Sequence, residues 1–217
     1  MRKRTIRVTL NTAALIVLGL IMQTGGAYLV NAACKLCADT EPVIKYMEYM
    51  ANITQIGHRQ YIHILFVAPI LEELVFRLIF LRAGRMIMPF WAANLVQALL
   101  FGFYHTFMVQ RIYGFVMGLI IGCVFYYCPL IYRKRYSGTD SLLDLPDSLI
   151  GVGLTIILHM TINAGGLFVS PLFPADTPMP VQFIMGTLLM AVVVSVCVVL
   201  KKQSSQNSLY DRSDRMD

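Results

Sequence analysis

The sequence predicts an all-α, polytopic membrane helical bundle of about six transmembrane helices, with the N- and C-termini cytoplasmic. Three observations carry that prediction. Of the 217 residues, 57% are hydrophobic and only 14% charged, with a mean hydropathy of +0.65; this is a membrane composition rather than a soluble one. Apolar windows of about 20 residues, the length that crosses roughly 30 Å of hydrocarbon, fall at 7–30, 60–82, 89–110, 112–132, 148–169 and 181–200. The basic residues flank these windows asymmetrically. With "MRKR" inside, alternate loops carry Arg82 and Arg85, then Arg133 to Arg135, then the tail from Lys201–Lys202; only Lys35, Lys45, Arg59 and Arg111 fall outside, and Arg77 lies within the membrane. That bias satisfies the positive-inside rule. It also argues against a nucleic-acid partner, because the net charge of +6 forms no basic patch with interleaved aromatics. The partner it implies is the lipid bilayer.

The first window is preceded by "MRKR" and followed by "VNAA" before Cys34, which together mimic a cleavable signal peptide. The apolar run is long for that role, and a lipoprotein-type site would want an aliphatic residue where Asn31 stands. We read it as an uncleaved signal-anchor. Residues 31–59 then form an outer loop in which "PVIKYMEYMANI" sets Val43, Met47 and Met50 at helical spacing. This predicts a helix on the outer interface or an extension of the second span. Cys34 and Cys37 form a C-x-x-C in the same loop; without a second pair or a nearby His it reads as a disulfide or two thiols, not a metal site. Cys123, Cys128 and Cys197 sit in spans as small apolar residues. In the fourth span Gly114, Gly118 and Gly122 clear one helix face, read as tight packing inside the bundle rather than a dimer contact. Residues 136–147 form an inner loop. The chain is one membrane domain over 1–202, and 203–217 is a polar cytoplasmic tail expected to be disordered.

The second window is interrupted by charge. "APILEELVFRL" places Glu72, Glu73 and Arg77 in mid-membrane, where an ionisable side chain costs on the order of 3 kcal/mol unless it faces a partner or water. Glu73 and Arg77 are i, i+4 with the acid first, the favourable order for an intrahelical ion pair. Glu72 points about 100° away from Glu73, which leaves it free to face something else. Pro69 removes a backbone donor and bends the helix near these groups. Phe101 and His105 share a face in "FGFYHTF", and His159 and Asn163 share one in "LHMTIN". A hairpin turning at Met88 and Pro89 puts Glu72 and His105 at one depth, roughly 24 Å from the turn on each side at 1.5 Å per residue. Acid and imidazole are thus expected to meet. Any one of these residues alone could be helix-to-helix glue; the ordered set on three spans points to a site.

Glu72-Glu73-x-x-x-Arg77, Phe101-x-x-x-His105 and His159-x-x-x-Asn163, in that order, resemble the three signature motifs of the CPBP intramembrane proteases. That family includes the CAAX-processing type II endopeptidases and bacterial relatives linked to bacteriocin processing or immunity. The resemblance covers a protease-like core at 60–165. It implies hydrolysis of a peptide bond in a membrane-associated peptide or protein terminus. It also implies Glu72 as general base, His105 binding or polarising the water, and His159 and Asn163 holding that water or donating to the oxyanion. The Glu73–Arg77 pair would fix the helix geometry. Glu72, His105 and His159 would also supply the ligand set of a catalytic zinc with an open position, and we expect a metal-dependent enzyme. A metal-free route is physically adequate as well, because burial makes a carboxylate more basic. The expected location is a bacterial plasma membrane. Two other classes fit the same polar set: a catalytically idle immunity or scaffold protein, and a proton-coupled transporter, against which stands the lack of a repeat in two halves.

Overall fold

The computed structural model describes residues 2–53, 57–132, 145–172 and 176–213, and all regular structure among them is helical. Helix α1 (Arg2–Leu36) is followed by α2 (Glu41–Asn52). A continuous helical run then passes through α3 (His58–Ile62), a π-turn (His63–Val67), α4 (Ala68–Glu73), a second π segment (Leu74–Leu81) and α5 (Arg82–Ile87). Next come α6 (Phe90–Tyr104), α7 (Met108–Tyr132), α8 (Leu145–Ala164) with a π-turn (Gly165–Val169) and a short 3-10 turn (Ser170–Leu172), and α9 (Met179–Ser213).

Four stretches are long and apolar enough to cross a membrane: Thr12–Leu36, Met108–Ile131, Leu145–Val169 and Met179–Gln206. The chain is an integral membrane protein on that ground. The other two expected spans differ from simple apolar helices for identifiable reasons. The run 58–87 has the length but carries Glu72, Glu73 and Arg77, while α6 is apolar and only 15 residues long. The expected span 89–110 is cut at His105, which is extended (φ −79, ψ 146) and closes α6 with its own ring, Nδ1 lying 2.8 Å from the Phe101 carbonyl. A helix end must find partners for its last carbonyls, and here the side chain supplies one.

Helix α2 is the helix expected within residues 31–59, and it is separate from the run that begins at His58. Thr40 enters it extended, Pro42 sits in its first turn and Val43 is buried beneath it. Tyr49 and Tyr46 pack on Phe107, with ring centroids 4.7 Å and 6.4 Å away. Burial pushes the Tyr46 phenol up to about 12. All five cysteines are free thiols, with Cys34 buried and Cys37 exposed. Most of the expected inner loop lies outside the described residues, and α8 begins within it at Leu145. Helix α9 runs through Ser213, with Ser204 and Ser205 hydroxyls both donating to the Lys201 carbonyl. Residues 214–217 lie outside the described residues.

Helix α7 is the most deeply buried of the four long apolar stretches, and it packs on α6, α8 and α9 while α1 lies against α8 and α9. One apolar cluster gathers Leu18 and Met22 of α1, Ile121 and Val124 of α7, Leu158 of α8 and Val193 of α9. Lipid tails are as apolar as these side chains, so close van der Waals contact and interhelical hydrogen bonds must hold the bundle. The glycine ladder provides the contact. Cβ atoms built at Gly118 and Gly122 would press on Ala98 and on the Asn94 side chain, so the ladder packs α7 onto α6 within the bundle. Fully buried Asn94 and Gln97 provide the hydrogen bonds: Asn94 Nδ2 donates to the Leu119 carbonyl (2.9 Å), and Gln97 Nε2 to Asn94 Oδ1 (2.7 Å) and the Gly118 carbonyl (2.9 Å).

Candidate active site

The six expected residues lie on the run 58–87, on the turn after α6 and on α8. Glu73 and Arg77 form the predicted pair, Oε2 to Nε at 3.1 Å, and both side chains are 0% exposed. The approach is ionic rather than an aligned hydrogen bond, and among the described residues Nη1 and Nη2 of Arg77 have no hydrogen-bond acceptor. Their charge is met instead by the face of Phe101, 4.5 Å from Arg77 Cζ, a cation–π contact strengthened by the lack of competing water. Phe76 packs edge-on against the same ring.

His159 projects from α8 between the two acids. Its Nδ1 lies 2.8 Å from Glu73 Oε1, while Nε2 faces Glu72 Oε2 at 3.6 Å. The sequence separated Glu72 from the Glu73–Arg77 pair correctly, but it did not foresee one imidazole reaching both. Glu73, paired with Arg77, accepts a hydrogen bond from the Nδ1–H of His159, which leaves the Nε2 lone pair toward Glu72. Glu72 is the more accessible acid, with a side chain 13% exposed. Thr155, one turn before His159, places its hydroxyl beside Glu73. That residue was missed, although its i, i+4 relation to His159 was readable.

His105 lies within Coulombic reach of Glu72, on the turn at residues 105–107. Irregular backbone at membrane depth is tolerated where protein satisfies it. Here Arg111 Nε donates to the His105 carbonyl (2.8 Å), a role that spacing alone did not reveal. The ring Nδ1 is bound to the Phe101 carbonyl, which can only accept, so His105 too presents an Nε2 lone pair. A Cβ at Gly114 would come within 3.2 Å of both Cε1 and Nδ1 of this ring, so the first glycine of the ladder seats a site residue. Asn163 differs most from expectation: its Nδ2 donates to the Ile64 carbonyl at 2.8 Å.

The tautomers of His105 and His159 would suit metal ligation, but the spacing does not. Among the described residues no three His, Cys, Asp or Glu side chains converge as a metal site. What the arrangement can do is hold a small polar molecule against both a carboxylate and an imidazole, beside the 3.6 Å gap that separates them, with the far side of the imidazole anchored to a buried ion pair.

Residues 58–165 match the family model of the Rce1-like type II CAAX prenyl endopeptidases, a span that contains all six of these residues. No curated protein and no solved structure matches the chain.

Proposed function

Because residues 58–165 belong to the Rce1-like type II CAAX prenyl endopeptidase family, we propose that this protein is an intramembrane endopeptidase. It would hydrolyse a peptide bond in a membrane-associated peptide or protein terminus, with a bacterial plasma membrane as the proposed location. The observation that carries this reading is His159, fixed through Nδ1 on Glu73 with Nε2 3.6 Å from Glu72.

The chemistry follows from that geometry. A water about 2.8 Å from each of Glu72 Oε2 and His159 Nε2 sits at the apex of a narrow triangle, donating one hydrogen to each. Its lone pairs then point away from both, toward an incoming carbonyl carbon. As the water attacks, Glu72 takes its proton and afterwards returns it to the leaving amine, the two halves of general acid–base catalysis. The Glu73–Arg77 pair keeps His159 in the tautomer that offers Nε2. His105 brings a second Nε2 acceptor to the same side, and its seat on Gly114 and Arg111 sets where that acceptor lies. No step passes through a metal.

The test is cleavage by the purified chain in proteoliposomes. Internally quenched peptides, one carrying a farnesylated cysteine three residues from its C-terminus and others unmodified, are incubated with wild type and Glu72→Gln. The reading expects new fragments from at least one peptide with wild type and none with the variant. Folded wild-type protein that cleaves nothing in the panel, or a variant as active as wild type, overturns it.

A further inference from the structure

We infer that Asn163 is a positioning residue: its amide stands in for the backbone N–H that Pro69 lacks, and so holds the helix bearing Glu72 in register with the helix bearing His159. This rests on the endopeptidase reading, and it gives Asn163 a role different from contact with the water or the oxyanion.

The backbone accounting leads there. In the π-turn His63–Val67 the Ala68 N–H reaches back five residues to the His63 carbonyl. That bond takes up the donor which an α-register would have given to Ile64. The next donor in the π-register, five residues after Ile64, is residue 69, and proline has none. The Ile64 carbonyl is thereby orphaned within a helical run read as lying at membrane depth, where water cannot take the missing partner's place. Asn163 Nδ2 supplies the missing donor at 2.8 Å, reaching across from α8.

The bond sits in the seam that the site depends on. Asn163 is one turn beyond His159 on α8, and Ile64 is eight residues before Glu72 on the continuous run. Tyr61 and Phe168 stack across the same two segments, with ring planes 14° apart. Three rungs therefore join them in order: Tyr61 with Phe168, Ile64 with Asn163, and Glu72 and Glu73 with His159. The middle rung is the only one of the three whose need is created by a proline. Losing it would let α4 slide against α8 and spoil the His159 to Glu72 approach, and misplacement of reacting groups by about 1 Å can cost 10²-fold in rate.

A mutant cycle separates positioning from catalysis. Asn163→Leu, Pro69→Ala and the double variant are compared for thermal midpoint and for kcat and KM on a peptide that wild type cleaves. Asn163→Leu should lower the midpoint and reduce kcat by about 10²-fold, with KM little changed. Pro69→Ala should stay near wild type, because the introduced alanine brings its own N–H. In the double variant the Asn163→Leu penalty should largely vanish in both readouts, the non-additivity expected of residues sharing one partner. If Asn163→Leu alone does not fold, recovery of folded protein in the double variant is the supporting result and failure to recover is the opposing one. An undiminished kcat penalty in the Pro69→Ala background overturns the inference, because Asn163 then acts on the reacting atoms. Should wild type cleave no peptide, the endopeptidase reading fails by itself, and the thermal cycle still decides whether Asn163 substitutes for the missing donor.

Discussion

The Nδ1 of His159 lies 2.8 Å from Oε1 of Glu73, and this one contact joins two elements that the sequence presents as separate. Glu73 belongs to a fully buried ion pair with Arg77; His159, itself buried, turns its other nitrogen toward the slightly more exposed Glu72. The charge that neutralises Arg77 on one side thus orients the imidazole on the other. The consequences of altering the adjacent acids should differ sharply.

Glu72→Gln removes the base and no buried ion pair. It should reduce kcat by about 10²- to 10⁴-fold, the range a general base supplies, while the thermal midpoint stays near wild type. Glu73→Gln leaves Arg77 buried without a counter-charge, a loss of about 3–5 kcal/mol for a buried pair, so folded yield and activity should fall together. Paired activity and thermal-unfolding measurements check this. A Glu72→Gln protein as unstable as Glu73→Gln would refute the division of labour.

The glycine ladder yields a second contrast. A Cβ at Gly114 would press on the His105 ring at 3.2 Å, whereas one at Gly122 would collide with Asn94 Oδ1, inside the buried amide network. Gly114→Ala should displace the imidazole and lower kcat with the bundle intact. Gly122→Ala should cost stability, about 1–3 kcal/mol by overpacking. The check is thermal midpoint against kcat for both variants, with equal effects in both readouts counting against the assignment.

The all-helical class, the long apolar helices and the Glu73–Arg77 pair were legible because hydropathy and i, i+4 spacing are local properties. The meeting of Glu72 with an imidazole was half legible. Counting residues from Met88 gives depth, but the rotation of each helix about its axis is set by packing, and that decided for His159 in direct reach and His105 further out. The π segments at 63–67 and 74–81 compound the difficulty, because each changes the angular step on which a helical wheel depends. Pro69 announced a bend without saying which carbonyl it would orphan or that Asn163 would answer it. Asn94 and Gln97 were visible as polar residues in an apolar window, yet only their partners on α7 show them to be glue.

The metal question has a direct answer in solution. Because Glu72, His105 and His159 do not converge, activity should survive extended treatment with a strong chelator, and added zinc should not raise it. Metal analysis of the same purified sample should find substoichiometric zinc. Loss of cleavage in chelator with recovery on adding zinc would contradict the metal-free chemistry and restore the three-ligand reading.

The number of crossings turns on whether the run 58–87 and α6 traverse the bilayer. The run is long enough, about 45 Å at 1.5 Å per residue, and its charges are no bar, since Glu73 neutralises Arg77 and Glu72 faces His159. If both cross, the turn near Met88 is cytoplasmic; if neither does, that turn stays on the outer side and four spans suffice. Met86, 67% exposed beside this turn, reports the difference. In intact cells a membrane-impermeant maleimide should label the exposed Cys37, and Cys37→Ser should remove that signal. In the Cys37→Ser background, Met86→Cys should react only after the membrane is permeabilised. Labelling of Met86→Cys from outside intact cells would reduce the bundle to four crossings and move the site out of the bilayer interior, with it the reason for pairing every charge around it.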